Sequence, residues 1–215
     1  MTLIRVLLAD DHAVVLDGLR VLLEQQGDIR VVATVSNGIE AVQQTLREHP
    51  HVVLMDIAMP LLNGIEATQQ IRELHPQTQV VILSIHAAWE HIHRALEAGA
   101  LGYLLKESAG NEVVTAVRTV YKGDRYLSQK VADIALKDFG KHAKWEDPLR
   151  SLSARERQVL RLVVEGKTSA EAAEILSLSP KSVETYRRRI MHKLGLHDLP
   201  SLVKFAIQHG VISLE

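Results

Sequence analysis

The sequence predicts two domains of different class. An α/β domain on a doubly wound, five-stranded parallel sheet comes first, and a small all-α domain of four helices follows. Three observations predict this. Through the first 122 residues, short apolar runs without alternation are each followed by a segment of helical periodicity, the pattern of strands buried on both faces of a parallel sheet. Beyond residue 150 only helical periodicity remains. The charge balance changes with it: residues 1–122 carry 9 Lys and Arg against 14 Asp and Glu, whereas residues 151–215 carry 10 against 7. A chain of 215 residues is long enough for two modest cores.

Ile4–Ala9 is apolar apart from Arg5 and ends at Asp10-Asp11. Val14, Val15, Gly18, Leu19, Leu22 and Leu23 then recur at helical spacing. Ile29–Val35 is rich in β-branched residues and meets the turn signal Ser36-Asn37-Gly38. Ile39–Glu48 reads as a helix with Ala41, Val42 and Leu46 on one side. Val52–Asp56 is a strand that delivers a carboxylate where it ends; Met59-Pro60 then forces a turn, which Asn63-Gly64 continues. Ile65–Leu74 is a helix, Gln79–Ser84 a strand, Ala87–Ala98 a helix closed by Gly99, Leu101–Leu105 a strand ending at Lys106, and Asn111–Tyr121 a helix. Strands joined by helices in this way imply right-handed crossovers with helices on both faces of the sheet.

The chain has no cysteine, which excludes disulfides, thiol catalysis and cysteine-ligated zinc. Its first residues carry an apolar run too short for a signal peptide, and no run approaches the ~20 residues of a membrane helix. A cytoplasmic protein without membrane contact is expected.

In a doubly wound sheet, ligands bind beyond the carboxyl ends of the strands. The polar residues there are Asp10 and Asp11, Asp56, Ser84 and Lys106. Crowded carboxylates repel unless a cation holds them, and oxygen ligands without His or Cys favour a hard ion such as Mg²⁺. That set suits a phosphoryl group. Asp56 would accept it as an acyl phosphate, Asp10 and Asp11 would hold the metal, Lys106 would add positive charge, and Ser84 would donate a hydrogen bond. The bland alternative for Asp56 is a helix N-cap or a satisfied structural carboxylate.

Asp10-Asp11, the stretch from Asp56 to Pro60 with Asn63-Gly64, Ser84, and Gly102-Tyr103-Leu104-Leu105-Lys106 together resemble the receiver domain of two-component response regulators, over roughly residues 3–122. The resemblance implies the flavodoxin-like sheet order of CheY and phosphorylation of Asp56 by a sensor histidine kinase. It also implies a Mg²⁺ ligand from the backbone carbonyl of Ala58. Ser84 and Tyr103 would form a switch pair in which the hydroxyl moves toward the phosphoryl group and the ring follows. Two departures stand out: Ser84 replaces the commoner Thr, and Ala58 lacks the polar side chain often found two residues after the acceptor. Tyr103 taken alone reads as a half-buried strand residue. His86, His91 and His93 read as solvated or partner-facing imidazoles, and Trp89 as either exposed or a core contact.

Residues 123–148 break the pattern and read as a linker holding a short helix over Val131–Phe139, with a charged, aperiodic stretch from Gly140 to Pro148 that includes Trp145. From residue 149 to 215 the helices are short. Ser153 and Glu156 form a capping box, and the first helix ends at Gly166. Thr168–Leu176 is a second helix. Pro180–Leu194 is a third, capped by Ser179 and closed by Gly195, and Leu199–Gln208 a fourth. On the third helix Val183, Tyr186, Ile190 and Leu194 share one face, and Lys181, Thr185, Arg188 and His192 lie opposite. Such a helix fits the major groove, where Arg reads guanine, Thr meets a thymine methyl and Glu accepts from cytosine. The plainer alternative is a solvated face of a small bundle.

Leu152-Ser153-Ala154-Arg155-Glu156-Arg157, Gly166-Lys167-Thr168, Leu178 to Tyr186, and Lys193-Leu194-Gly195-Leu196 resemble the LuxR-type helix-turn-helix module. Receiver plus this module is the NarL/FixJ class of response regulators. The resemblance implies that Glu184, Thr185 and Arg188 face base edges, and that Lys181, Ser182, Arg189 and Lys193 approach phosphates. The expected protein is a transcription factor, not an enzyme, that pairs as a homodimer on promoter DNA after phosphorylation, with RNA polymerase as a further partner. A phosphorylation-independent DNA-binding regulator is the alternative. A Mg²⁺-dependent phosphohydrolase is more distant, because Ala58 occupies the position where such an enzyme needs its general acid.

Overall fold

The structure is a computed structural model that describes residues 3–139 and 147–212. It divides into two compact units, residues 1–143 and 144–215. In the first, strands β1 (Ile4–Ala9), β2 (Ile29–Val35), β3 (Val52–Asp56), β4 (Gln79–Ser84) and β5 (Gly102–Leu105) alternate with helices α1 (Ala13–Glu24), α2 (Gly38–Glu48), α3 (Gly64–Leu74), α4 (Trp89–Glu97) and α5 (Ala109–Tyr121). The sheet is parallel throughout, in the order β2-β1-β3-β4-β5, and a sixth strand, β6 (Tyr126–Leu127), adds to β5. Two residues are too few to carry a period, which is why the sequence predicts five strands.

Alternation along each strand sends side chains to two cores. Leu7, Val53, Ile82 and Tyr103 face one layer, and Leu8, Leu54, Val81 and Leu104 face the other. The central strand β3 is buried at all five positions. Burial on both faces explains the unbroken apolar runs in the sequence.

Helix α6 (Gln129–Phe139) corrects the linker expectation over its own length. It belongs to the first unit, because Val131 is fully buried in the same core as Tyr103, Ile92 and Ala95, with Ile134 packed against that core. Pattern alone could not place it, since one buried valine does not make a stripe. Most of the expected tether after it, including Trp145, lies outside the described residues. Helix α4 begins at Trp89, two residues later than expected, and buries Trp89 and His91. The reading of His91 as a solvated imidazole is therefore wrong: its ring stacks on His86 at 4.6 Å.

The sequence Asn-Gly-Ile-Glu-Ala occurs twice, at 37–41 and 63–67, and folds the same way each time. Asn37 and Asn63 are N-caps whose side chains accept from Glu40 N and Glu66 N, both at 2.9 Å. The glycines open α2 and α3 rather than prolonging a loop. Each is glycine because backbone presses on it: a Cβ at Gly38 would sit 2.3 Å from the carbonyl oxygen of Leu62, and one at Gly64 would sit 1.9 Å from that of Asp56. The start of α2 thus supports the loop after β3, and the start of α3 supports the end of β3.

The second unit holds α7 (Ala154–Val164), α8 (Ser169–Leu176), α9 (Pro180–Leu194) and α10 (Leu199–Gln208). Capping boxes start α7 at Ser153 and α8 at Thr168. Val159, Leu160, Ala172, Val183, Ile190 and Leu202 form its core.

Candidate functional site

The carboxyl edge of the first sheet assembles the acids. Asp10 follows β1, Asp56 ends β3, and both are almost fully buried. Lys106 follows β5, and its Nζ lies 2.8 Å from Asp10 Oδ2 and 3.2 Å from Asp56 Oδ2. Ligand atoms of Asp10, Asp11, His12 and Asp56 all lie within 4.8 Å of one another. Burial pushes the Asp56 carboxyl up to about 6; Lys106 opposes the rise and Asp10 adds to it. Burial works against the charge on Lys106, but Asp10 and Asp56 outweigh it and hold the amine protonated above its usual range. Lys106 meets two of the three clustered carboxylates, and an acid set of this kind fits a hard divalent cation such as Mg²⁺, with the exposed His12 beside it.

His12 was absent from the expected set. Its Nδ1 lies 3.1 Å from Asp10 Oδ1 and 2.8 Å from Asp11 Oδ1, and the hydrogen bond to Asp10 and the charge of Asp11 raise its pKa. Its place directly after Asp11, in a turn that must face the ligand edge, was the available signal.

Ser84 and Tyr103 meet on one residue. Leu83 is paired with Asp56 in register, so Ser84 stands one residue beyond it at the same edge. The Ser84 hydroxyl accepts from His86 N at 3.1 Å, and the Tyr103 hydroxyl donates to His86 O at 2.7 Å. Tyr103 is fully buried, not half-buried. Burial raises its hydroxyl pKa further above the ordinary range, with a hydrogen bond from Ser84 pulling the other way. Ala58, the expected source of a carbonyl ligand, is half-buried two residues past Asp56.

In the second unit, α9 turns Val183 and Ile190 into the core and leaves Lys181, Glu184, Thr185, Arg188 and Arg189 exposed. Ser182 is half-buried and its amide donates to the Ser179 hydroxyl at 3.1 Å, closing the cap. Lys193, expected at a phosphate, is engaged within the unit. Its Nζ donates to Ser151 O at 2.9 Å and lies 2.7 Å from Glu156 Oε2. Glu156 is buried, and the same oxygen accepts from Ser153 N at 2.7 Å. A buried carboxylate needs a cation, and Lys193 is the one it has in hand.

Residues 6–118 match the response regulator receiver domain family, and residues 150–206 match the bacterial regulatory proteins of the luxR family. The oxygen regulatory protein NreC of Staphylococcus aureus is 38% identical over 214 residues, covering 97% of this chain and 99% of that one. The RcsB response regulator of Salmonella typhimurium superposes with a TM-score of 0.60 at 28% identity, over 95% of this chain and 98% of that one. A complex of the two-component response regulator RcsB with DNA gives 0.62 at 26% identity, over 97% and 99%. The response regulator ChrA of a heme-sensing two-component system gives 0.54 at 33% identity, over 99% and 100%. With its acid edge on a parallel sheet and its four-helix unit carrying an exposed basic helix, this chain belongs to the two-component response regulators of the NarL/FixJ class, transcription regulators that join a phosphorylation-controlled receiver to a LuxR-type DNA-binding domain.

Proposed function

We propose that Asp56 is the phospho-acceptor and that a sensor histidine kinase is the donor. The convergence of Asp10, Asp11, Asp56 and Lys106 on one edge carries this reading. Transfer breaks the P–N bond of a phosphohistidine protonated on its other ring nitrogen, forms a P–O bond to Asp56 and leaves a neutral imidazole on the kinase. Asp10, Asp11, Asp56 and the carbonyl of Ala58 would hold Mg²⁺, which supplies charge compensation for the incoming phosphoryl oxygens. Lys106 leaves Asp56 for a phosphoryl oxygen while keeping Asp10, and the Ser84 hydroxyl turns from His86 N toward the new group. Tyr103 follows through the backbone of His86 that both residues grip.

The output is recognition of promoter DNA as a duplex. Glu184, Thr185 and Arg188 reach base edges in the major groove, while Lys181, Ser182 and Arg189 meet phosphates. Leu199, Val203 and Ile207 form an apolar strip on α10 that suits pairing of two copies on a two-half-site element. The regulator would act in the cytoplasm, where it would reach promoter DNA and RNA polymerase; among the described residues no helix is long and apolar enough to cross a membrane. The chain turns over no substrate in this scheme, since Ala58 offers no general acid beside Asp56.

Acetyl phosphate with Mg²⁺ should label the wild-type chain and leave Asp56→Ala unlabelled. Equal labelling of the two would remove Asp56 from the mechanism.

A further inference from the structure

The opposite edge of the same sheet carries a second group of polar side chains that signalling at Asp56 does not use. His49 is the C-cap of α2 and His75 the C-cap of α3, so two helix C-termini converge there. His49 Nδ1 lies 2.8 Å from His75 Nε2, with the rings tilted by 34° and their centroids 4.9 Å apart.

The protons can be assigned from the neighbours. The hydroxyl of Thr78, itself fully buried, lies 2.6 Å from the carbonyl of Pro50, which can only accept. The single hydroxyl proton is therefore directed to Pro50. Thr78 Oγ1 also lies 2.9 Å from His75 Nδ1, so Nδ1 must be the donor there. Neutral His75 then carries its lone pair on Nε2, and His49 donates to it through Nδ1–H. An imidazole whose far nitrogen donates to a fixed oxygen is oriented as metal-bound histidines are. Two helix C-termini at the same place add negative potential that favours a cation. Two guanidiniums at this edge are already engaged with oxygens: Arg5 with the carbonyl and carboxylate of Glu48, and Arg72 with the carbonyls of Pro76 and Thr78.

We propose that His49 Nδ1 and His75 Nε2 form a two-imidazole site for a divalent transition-metal ion of the zinc or nickel type, bridging the C-termini of α2 and α3. Binding moves the His49 proton from Nδ1 to Nε2 of the same exposed ring, a change of tautomer that releases no net proton. Bonds of about 2.0–2.1 Å set the nitrogens about 2.9 Å apart at the right angle of nickel and about 3.3 Å apart at tetrahedral zinc, so the present 2.8 Å contact must open by roughly 0.1–0.5 Å. His49, at the exposed end of α2, can move by that much. Water completes the coordination.

The test is calorimetric titration of the full chain with NiCl₂ in saturating MgCl₂, which keeps the acid pocket occupied by the harder ion. His75→Gln should abolish one binding component, and His49→Gln should weaken it at least about tenfold. His49 is exposed, so its variant folds whatever the fate of the other. Long-range ¹H–¹⁵N spectra of the imidazoles supply a second readout, in which paramagnetic Ni²⁺ broadens His49 and His75 together. Identical titrations for wild type and both variants, or broadening confined to other histidines, would overturn the proposal.

Discussion

The hydroxyl of Tyr103 donates to the carbonyl of His86 across 2.7 Å, from the middle of the core. The same tyrosine accepts the amide of Ser128 on its own carbonyl at 3.1 Å and pairs with Leu127 in the sheet. One residue therefore touches the loop after β4 with its side chain and the start of α6 with its backbone. A shift of His86 toward the acid edge has a short mechanical route to α6, the last described element before the second unit.

That route predicts the behaviour of Tyr103→Phe. The ring still fills its place, so acetyl phosphate labelling of Asp56 should stay within about twofold of wild type. The gain in DNA affinity on phosphorylation should largely vanish, because no side chain then follows His86. Loss of the hydrogen bond should lower stability by about 1 kcal/mol. Labelling and DNA affinity measured on the same preparation check both, and a variant that activates normally would break the route.

The buried charge at Asp56 makes a second prediction. Its pKa is raised from 3.8 to about 6, so the folded chain keeps this proton to higher pH than the unfolded chain does. Stability contributed here is greatest in acid, declines as pH rises from about 4 to 6, and the full penalty stands above that range. Asp56→Asn removes the penalty, while Lys106 retains Asp10 at 2.8 Å. At neutral pH with the metal chelated, the variant should be more stable than wild type by about 1–3 kcal/mol, and the difference should shrink toward pH 4. Adding Mg²⁺ should stabilise wild type and leave the variant nearly unmoved. Denaturant curves at two pH values, with and without Mg²⁺, read all of this.

The fold was legible in the sequence because burial on both faces leaves so plain a trace: β1, β2, β3 and β4 run between the residues expected of them. The acid edge was legible for the same reason, since a parallel sheet fixes which strand ends share an edge. What escaped was set by contacts between distant segments. Nothing local marks Val131 as a core residue or ties Lys193 to Glu156. For His12 the one local signal is its place directly after Asp10-Asp11. The repeated Asn-Gly-Ile-Glu-Ala lay in plain view, but an Asn-Gly pair signals a turn and a helix start equally well, and only the backbone pressing on each glycine separates them.

That pressure gives a third prediction. Gly64→Ala drives a Cβ into the carbonyl of Asp56, so the end of β3 must shift. A cost of about 2–3 kcal/mol is expected, with Asp56 labelling slowed in the part that remains folded. Gly18→Ala is the control: nothing lies within 4 Å of its Cβ position, and it sits inside α1. It should be neutral or stabilising by up to about 1 kcal/mol. Thermal melts of the two variants separate a packing effect from general sensitivity to alanine.

The last prediction concerns Lys193, where two roles compete for one amine. Its neighbour Glu156 is 4% exposed and holds the α7 capping box. Burial pushes the Glu156 carboxyl upward, but Lys193 and the Ser153 bonds prevail and hold it below the usual glutamate range. Because that pKa is depressed, the stability it brings is present above the ordinary glutamate value and is lost as pH falls below it. Lys193→Ala should therefore destabilise the DNA-binding unit by about 1–2 kcal/mol at neutral pH, and the deficit should close in acid. Its DNA affinity should fall without change in the slope of log affinity against log salt. Lys181→Ala, exposed on α9, should reduce that slope by about 1 and leave the melting curve alone. Arg188→Ala should relax sequence preference by about 1–3 kcal/mol at one base step. If Lys193→Ala instead flattens the salt dependence as Lys181→Ala does, the amine leaves Glu156 for a phosphate on binding, and the ion pair belongs to the free protein alone.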